Sequence, residues 1–320
     1  MSSTPSTLAG ETTASTSYKA RIITEHIQRC LKDHRHAGRT EPLMVALQGP
    51  QGSGKTTVST ALLSLLAAEP HGLRVAAFSL DDLYLPHAGL VAVRDSNPQN
   101  RLLAGRGLPG THDVALGYQI FSDLRMINSE ADKPRIVRLP IFDKSLFAGE
   151  GDRSSQTVAV PGPVDVVLFE GWSVGFCPLD DMELQDRYTR AAAVQVGGGG
   201  GSSRPAFLSH TLADLKTVNS LLRNTAEQLW GFFTVFIQLE LANLSQIYHW
   251  RLEQEHAMML RNGGIGMTDD QVKNFVDRYL PGYELWMEGI KTGTFSERWK
   301  GRGLSLVYGP AREVLEVRHF

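Results

Sequence analysis

The sequence predicts an α/β fold in three layers, α/β/α, with a mostly parallel central sheet and a helical lid. Three neighbouring observations carry that expectation. Pro42 to Leu47 is a short apolar run bounded by glycine, the pattern of a strand buried on both faces. A Gly-rich loop follows, and beyond it Val58, Ala61, Leu62, Leu65 and Leu66 mark one face of a helix that ends near Pro70 and Gly72. Leu73 to Leu80 then reads as a second strand, completing a βαβ unit, which favours a right-handed crossover and a parallel sheet.

The remaining elements follow in order. Ile22, Ile23, Ile27 and Leu31 recur at helical spacing, so Ser17 to Leu31 is expected as an amphipathic helix ahead of the first strand. Pro86 to Gly110 is rich in Gly and Pro and is expected as a loop, followed by a helix over about Asp113 to Ile127 and a strand at Arg135 to Arg138. Val164 to Phe169 is a further buried strand, closed by Glu170. Phe232 to Leu239 is another. Helices are expected at Ser245 to Arg261, Thr268 to Tyr279 and Gly282 to Lys291, with terminal strands near Leu304 to Tyr308 and Val314 to Val317.

Length and composition bound the rest. A chain of 320 residues admits two small domains or one elaborated domain. The elements above favour the second, over 17–320, with about 243–291 as the helical lid and C-terminal helices. Residues 1–16, dominated by Ser, Thr and Ala, are expected as a disordered tail, and about 191–206, containing GGGGGSS, as a flexible insertion. No apolar run approaches the roughly 18 residues of a spanning helix, so no membrane association is expected. A net charge of −2 gives no bulk basic field for nucleic acid, and any phosphate recognition must be local. Two cysteines, Cys30 and Cys177, build neither a disulfide framework nor a zinc site, which fits a reducing compartment. A cytoplasmic location is expected, with the nucleus also open. The Ser-rich start also fits an organelle presequence, against which stand Glu11 and the absence of Arg before Arg21.

Gly49, Pro50, Gln51, Gly52, Ser53, Gly54, Lys55 and Thr56 match G-x-x-x-x-G-K-[ST], and Thr57 follows, between the expected strand and helix. That is the P-loop of a nucleoside triphosphatase fold. Its glycines let successive N–H groups aim at one point, and the helix adds the positive end of its dipole. Lys55 is placed to bridge the β- and γ-phosphates of ATP, and the Thr56 hydroxyl to ligate Mg²⁺. Asp81 and Asp82 end the second strand at the carboxyl edge, where open α/β sheets bind ligands. A carboxylate there accepts a proton from an attacking hydroxyl or holds Mg²⁺ through water; one of the pair also fits a turn cap. Glu170 ends a buried strand in the sense of a Walker B acid near the metal.

Two polar loops are candidate acceptor contacts. Arg106 to Asp113 runs into a helix, with Arg106 and His112 as contacts and Thr111 or Asp113 as its N-cap. Asp143, Lys144 and Arg153 belong to a second, charged loop, in which Lys or Arg would meet a carboxylate on an anionic metabolite. Arg251 either swings over the triphosphate or pairs with Glu255 at i,i+4. Tyr248 and Trp250 are expected to pack.

In chain order, GPQGSGKTT, SLDDLYLP, GRGLPGTHD, LPIFDKSLFAGEGDR, VVLFEGW, YHWRLEQE and FVDRYLPGYELW are present between about Pro42 and Val317. With these strings the chain resembles the P-loop D-glycerate 3-kinases and the fungal glycerate-kinase-like ATP-dependent kinases, which share a fold with uridine kinase, phosphoribulokinase and bacterial-type pantothenate kinase. The resemblance implies Asp81 as a base, Glu170 as the metal-linked acid, Arg251 as a lid arginine and Arg153 as a substrate or phosphate contact; Lys55 of the P-loop is expected as a catalytic cation, and Asp82 and Tyr84 as acceptor contacts. Leu83 stands where D-x-F-Y kinases commonly carry Phe, and the GGGGGSS insertion is a further departure. The implied activity is transfer of the γ-phosphate of ATP, with Mg²⁺, to a small hydroxylated, anionic substrate such as D-glycerate. A nucleoside or pantothenate kinase, and a regulatory or adaptor protein that uses ATP only as a switch, are the alternatives. No N-K-x-D string for guanine is present.

Overall fold

A computed structural model describes residues 6–129, 135–196, 204–261 and 263–320. Six strands form one sheet in the order β2-β5-β1-β6-β7-β8: β1 (Leu43–Gln48), β2 (Val75–Ser79), β5 (Val166–Gly171), β6 (Val235–Leu241), β7 (Gly303–Tyr308) and β8 (Val314–His319). All neighbours are parallel except β7 and β8. The carboxyl ends of five strands therefore share one edge.

Alternation along the strands explains the layers. Leu43, Val45 and Leu47 of β1 join one core with Ile23 and Ile27 of α1 (Ser6–His36) and Val58, Leu62 and Leu66 of α2 (Lys55–Ala67). Met44 and Ala46, on the opposite face, join a second core with Ile120, Phe121 and Leu124 of α4 (Val114–Arg125) and Leu215, Val218 and Leu222 of α6 (Leu212–Leu229). Each fully buried aliphatic side chain contributes roughly 1.5–3 kcal/mol, so both faces of β1 are strongly specified. Phe121, Phe169 and Phe233 pack ring to ring in the second core, with centroids 5.0–5.7 Å apart.

Several elements differ from expectation. The first helix begins at Ser6, not Ser17, so the backbone over residues 6–16 is helical where a tail was expected. Composition alone misread it: a Ser/Thr/Ala stretch continuous with an amphipathic helix is extended from a nucleus already formed. The Gly/Pro-rich segment from Pro86 contains α3 (His87–Ser96), whose buried Leu90 packs with Tyr84 and Phe142. Pro86 sits ahead of the helix, where a missing N–H is harmless. The strand at Arg135 to Arg138 is longer, β3 (Ile136–Asp143), and forms a separate antiparallel ribbon with β4 (Asp152–Pro161). β4 is polar from Asp152 to Thr157 and apolar only at Val158 to Val160, so no strand was expected there and its form owes much to pairing with β3. Glu170 lies inside β5 instead of just beyond it.

Two helices went unforeseen, α5 (Asp181–Val196) and α6, and α5 makes 191–196 helical. Residues 197–203 of the expected insertion and 1–5 of the expected tail lie outside the described residues. Beyond β6 come α7 (Gln246–Arg261), α8 (Asp269–Trp286) and α9 (Gly289–Thr292). α8 runs through Pro281, where a break was expected, because buried Tyr279, Leu280, Tyr283 and Trp286 hold its face across the missing donor. Among the described residues no helix is long and apolar enough to cross a membrane.

Candidate active site

The loop from Gly49 to Thr57 joins β1 to α2 at the shared carboxyl edge. Its tightness requires glycine at two points. A Cβ on Gly49 would stand 2.9 Å from Lys55 Cγ and 3.0 Å from Leu239 Cβ, and one on Gly52 (φ +75°) would stand 2.7 Å from Trp250 Cβ. α2 opens on Gly54 in the left-handed region, with no side chain capping its first turn. The helix's first N–H groups are thereby left to an anion. Lys55 Nζ donates to Pro50 O at 3.0 Å, and the Gln51 N–H donates to the Tyr283 hydroxyl at 3.2 Å. Ser53 Oγ and Gln51 Oε1 are buried without a partner among the described residues, as expected of groups set around a polar ligand.

Two carboxylates approach from neighbouring strands. Ser79, which ends β2, lies beside Glu170 of β5, which in turn lies beside Leu47 of β1. The short helical turn Leu80–Leu83 then presents Asp81. Burial pushes Glu170 above its usual range, and the neighbouring Lys55 ammonium opposes that shift. Burial also pushes Asp81 up, but the Lys144 ammonium outweighs it and holds the carboxyl below its usual range. Lys55 is lowered by burial and drawn back by Glu170 and Asp81. Asp81 is thus the acid favoured to stay ionised, and Glu170 the one disfavoured.

Asp81 is embraced from its far side. Lys144 Nζ lies 2.5 Å from its Oδ2, the Tyr84 hydroxyl donates to it, and its side chain keeps 30% of its exposure, within reach of a small ligand. Tyr84 is buried, its phenol held far above its ordinary pKa by that burial, and it stacks on His112 with centroids 4.6 Å apart. Burial lowers His112 to about 4, so the ring is neutral at physiological pH, and its Nε2 has no partner among the described residues.

Other expected contacts are committed elsewhere. Asp82 accepts the Ser79 N–H at 2.9 Å in a capping box and the Phe142 N–H at 3.4 Å, so both its oxygens tie β2 to β3 and it caps instead of facing the acceptor. Arg106 Nη1 donates to the carbonyls of Gly149 and Glu150. Arg153 Nη2 donates to Tyr84 O at 2.9 Å and Asp113 Oδ2 at 3.1 Å, and its buried Nε has no partner among the described residues. Asp113 also caps α4 through the Leu116 N–H. Asp143, partly exposed, accepts from the Ser145 N–H and hydroxyl. Arg251 pairs with buried Glu255 at 2.8 Å and lies 5.2 Å from the Phe275 ring, the i,i+4 reading.

Lys55, Asp81, Glu170, Tyr84, His112 and Lys144 thus converge. Sequence reasoning missed Tyr283 and Arg312, which touch the Gly49–Thr57 loop from 232 and 260 residues away. No motif includes Arg312, and Tyr283 stands in the FVDRYLPGYELW string without any signal of its contact with the loop.

No family model matches the chain. The probable ATP-dependent kinase TDA10 of Saccharomyces cerevisiae is 34% identical over 82% of this chain and 84% of its own length. The chloroplastic D-glycerate 3-kinase of Arabidopsis thaliana is 33% identical over 77% of this chain, which spans about half (48%) of that longer protein. Among solved structures, D-glycerate 3-kinase from Cryptococcus neoformans var. grubii superposes with a TM-score of 0.85 at 40% identity, covering 94% of this chain and 99% of that one.

Proposed function

We propose that this chain, which belongs to the P-loop family of D-glycerate 3-kinases and glycerate-kinase-like ATP-dependent kinases, passes the γ-phosphate of ATP to a hydroxyl of D-glycerate. The family makes it an ATP-dependent phosphotransferase with an alcohol acceptor. The observation that carries the acceptor reading is the Asp81 cluster: an ionised carboxylate held by Lys144 and Tyr84, beside Lys55 and Glu170.

In this reading the Gly49–Thr57 loop holds the phosphates through its N–H groups, and Lys55 releases Pro50 O to meet the β- and γ-phosphates. Asp81 orients the attacking hydroxyl and takes its proton, in line with the γ-phosphate. Lys144 offers a cation to the carboxylate of the acceptor. The oxygen donors at hand, the exposed Thr56 hydroxyl at the start of α2 and the Glu170 carboxylate, suit a hard cation that keeps several waters. Mg²⁺ held there would neutralise charge developing on the transferred phosphoryl group. Cys30 and Cys177 are free and buried, which supports a reducing compartment such as the cytosol.

The test is an acceptor screen with D-glycerate, uridine, pantothenate and ribulose phosphate, read as ADP formed. D-glycerate is expected to drive turnover. Turnover independent of any acceptor would remove the kinase reading, and preference for another acceptor would remove glycerate alone.

A further inference from the structure

One side chain outside every motif grips the Gly49–Thr57 loop from behind. Arg312 lies in the turn between β7 and β8, and its guanidinium divides three ways. Nε donates to Gly52 O at 2.7 Å, Nη1 meets the Glu253 carboxylate at 2.6 Å, and Nη2 reaches Trp250 O at 3.4 Å. The guanidinium carbon also stands 5.1 Å from the Trp250 ring centroid. Arg312 adopts φ +62°, a region that a residue with a Cβ enters at a cost, so the surroundings hold a strained backbone in place.

We propose that Arg312 is a positioning residue for nucleotide binding: it pins the Gly52 carbonyl outward so that the loop's N–H groups stay aimed at the phosphates. The peptide unit is planar and trans, so fixing the Gly52 carbonyl on the outer side sends the Ser53 N–H to the inner side. That N–H donates to Pro50 O at 3.3 Å, closing the turn on the same oxygen that Lys55 Nζ meets at 3.0 Å. Gly52 is left-handed and packed against Trp250, with no side chain of its own to hold it. A guanidinium suits the task and an ammonium does not, because three separate acceptors must be met by one rigid fork. Glu253 balances the charge, which keeps Arg312 behind the loop instead of competing for the phosphates in front of it.

The proposal concerns nucleotide affinity and stands whether or not D-glycerate is the acceptor. Direct ADP binding by the full chain, with KM for ATP and for the acceptor beside it, reads it. Arg312→Ala is expected to weaken ADP binding and raise KM for ATP by about tenfold or more, the scale of a lost charge-assisted hydrogen bond, with KM for the acceptor within about twofold. Arg312→Lys, which keeps the charge and loses the fork, is expected to recover less than half of that loss on a logarithmic scale. Glu253→Gln leaves the Gly52 bond and is expected to cost about two- to threefold. If Arg312→Ala fails to fold, the other two variants carry the test. Full recovery by Lys would overturn the proposal, as would equal rises in both KM values or a lowered unliganded melting temperature with ADP affinity unchanged.

Discussion

The two halves of the proposed site are built from different material. On the nucleotide side, the Gly49–Thr57 loop offers backbone N–H groups, and two buried polar atoms there, Gln51 Oε1 and Ser53 Oγ, have no partner among the described residues. On the acceptor side the groups are side chains, and most already hold one another: Asp81 with Lys144, Arg153 with Asp113, Arg106 with two carbonyls. A backbone cradle waits for its ligand. A side-chain cluster must exchange internal partners for the ligand, so it discriminates by what can displace them.

Substitutions ought to separate along that line, and the largest effect is expected at its centre. Asp81→Asn should lower kcat by about 10²–10⁴-fold, the range for a general base, while ADP affinity stays within about threefold. Unchanged turnover would take the base role from Asp81. Lys55→Met should lower kcat by about 10²–10³-fold and weaken ADP binding as well, since its ammonium faces the phosphates. An intact ADP affinity in that variant would break the division between the halves.

A stability measurement probes the acceptor side without substrate. The folded-state pKa of His112 lies at about 4, below the 6.5 of an unburied imidazole. Between those values the unfolded chain binds the extra proton, so stability is full above about pH 6.5 and falls as pH drops toward 4, by up to about 3 kcal/mol. Urea titrations of the parent and of His112→Gln at pH 7 and pH 4.5 check this, with the variant expected to lose less. A parallel loss in both would show that other groups set the acid limit.

Smaller effects refine the comparison. Lys144→Met should raise KM for an anionic acceptor by about tenfold with KM for ATP unchanged. It should also move the acid limb of the rate profile to higher pH, because the ammonium that lowers Asp81 is gone. A shift to lower pH would contradict the assigned ion pair. Tyr84→Phe, losing one hydrogen bond to Asp81, should cost only about fivefold in kcat.

The same contrast explains what the sequence disclosed. Gly49 to Thr56 is legible because a backbone cradle needs glycines at fixed spacing within one loop, and the strands around it are short apolar runs. Asp81 and Glu170 are legible as acids that follow apolar runs, although Glu170 lies inside β5 and Asp81 in the turn after β2. Asp82 keeps two readings in the sequence, since capping and ligand binding require the same residue type at the same place, and the Ser79 and Phe142 N–H groups favour the cap. The β3–β4 ribbon was hidden because β4 is polar from Asp152 to Thr157 and apolar only at Val158 to Val160, too short a run to mark a strand without its partner. Arg312 and Tyr283 leave no local trace, since their roles arise from contacts more than 200 residues away.

The separation between Gly52 and Arg312 also has a meaning in time. Their contact spans 260 residues and ranks among the non-local closures that slow folding. During synthesis at about 5–20 residues per second, the loop leaves the ribosome on the order of ten seconds to a minute before the arginine that clips it. A half-made chain therefore carries the whole nucleotide motif without its brace, and tight nucleotide binding becomes a mark of a finished sheet.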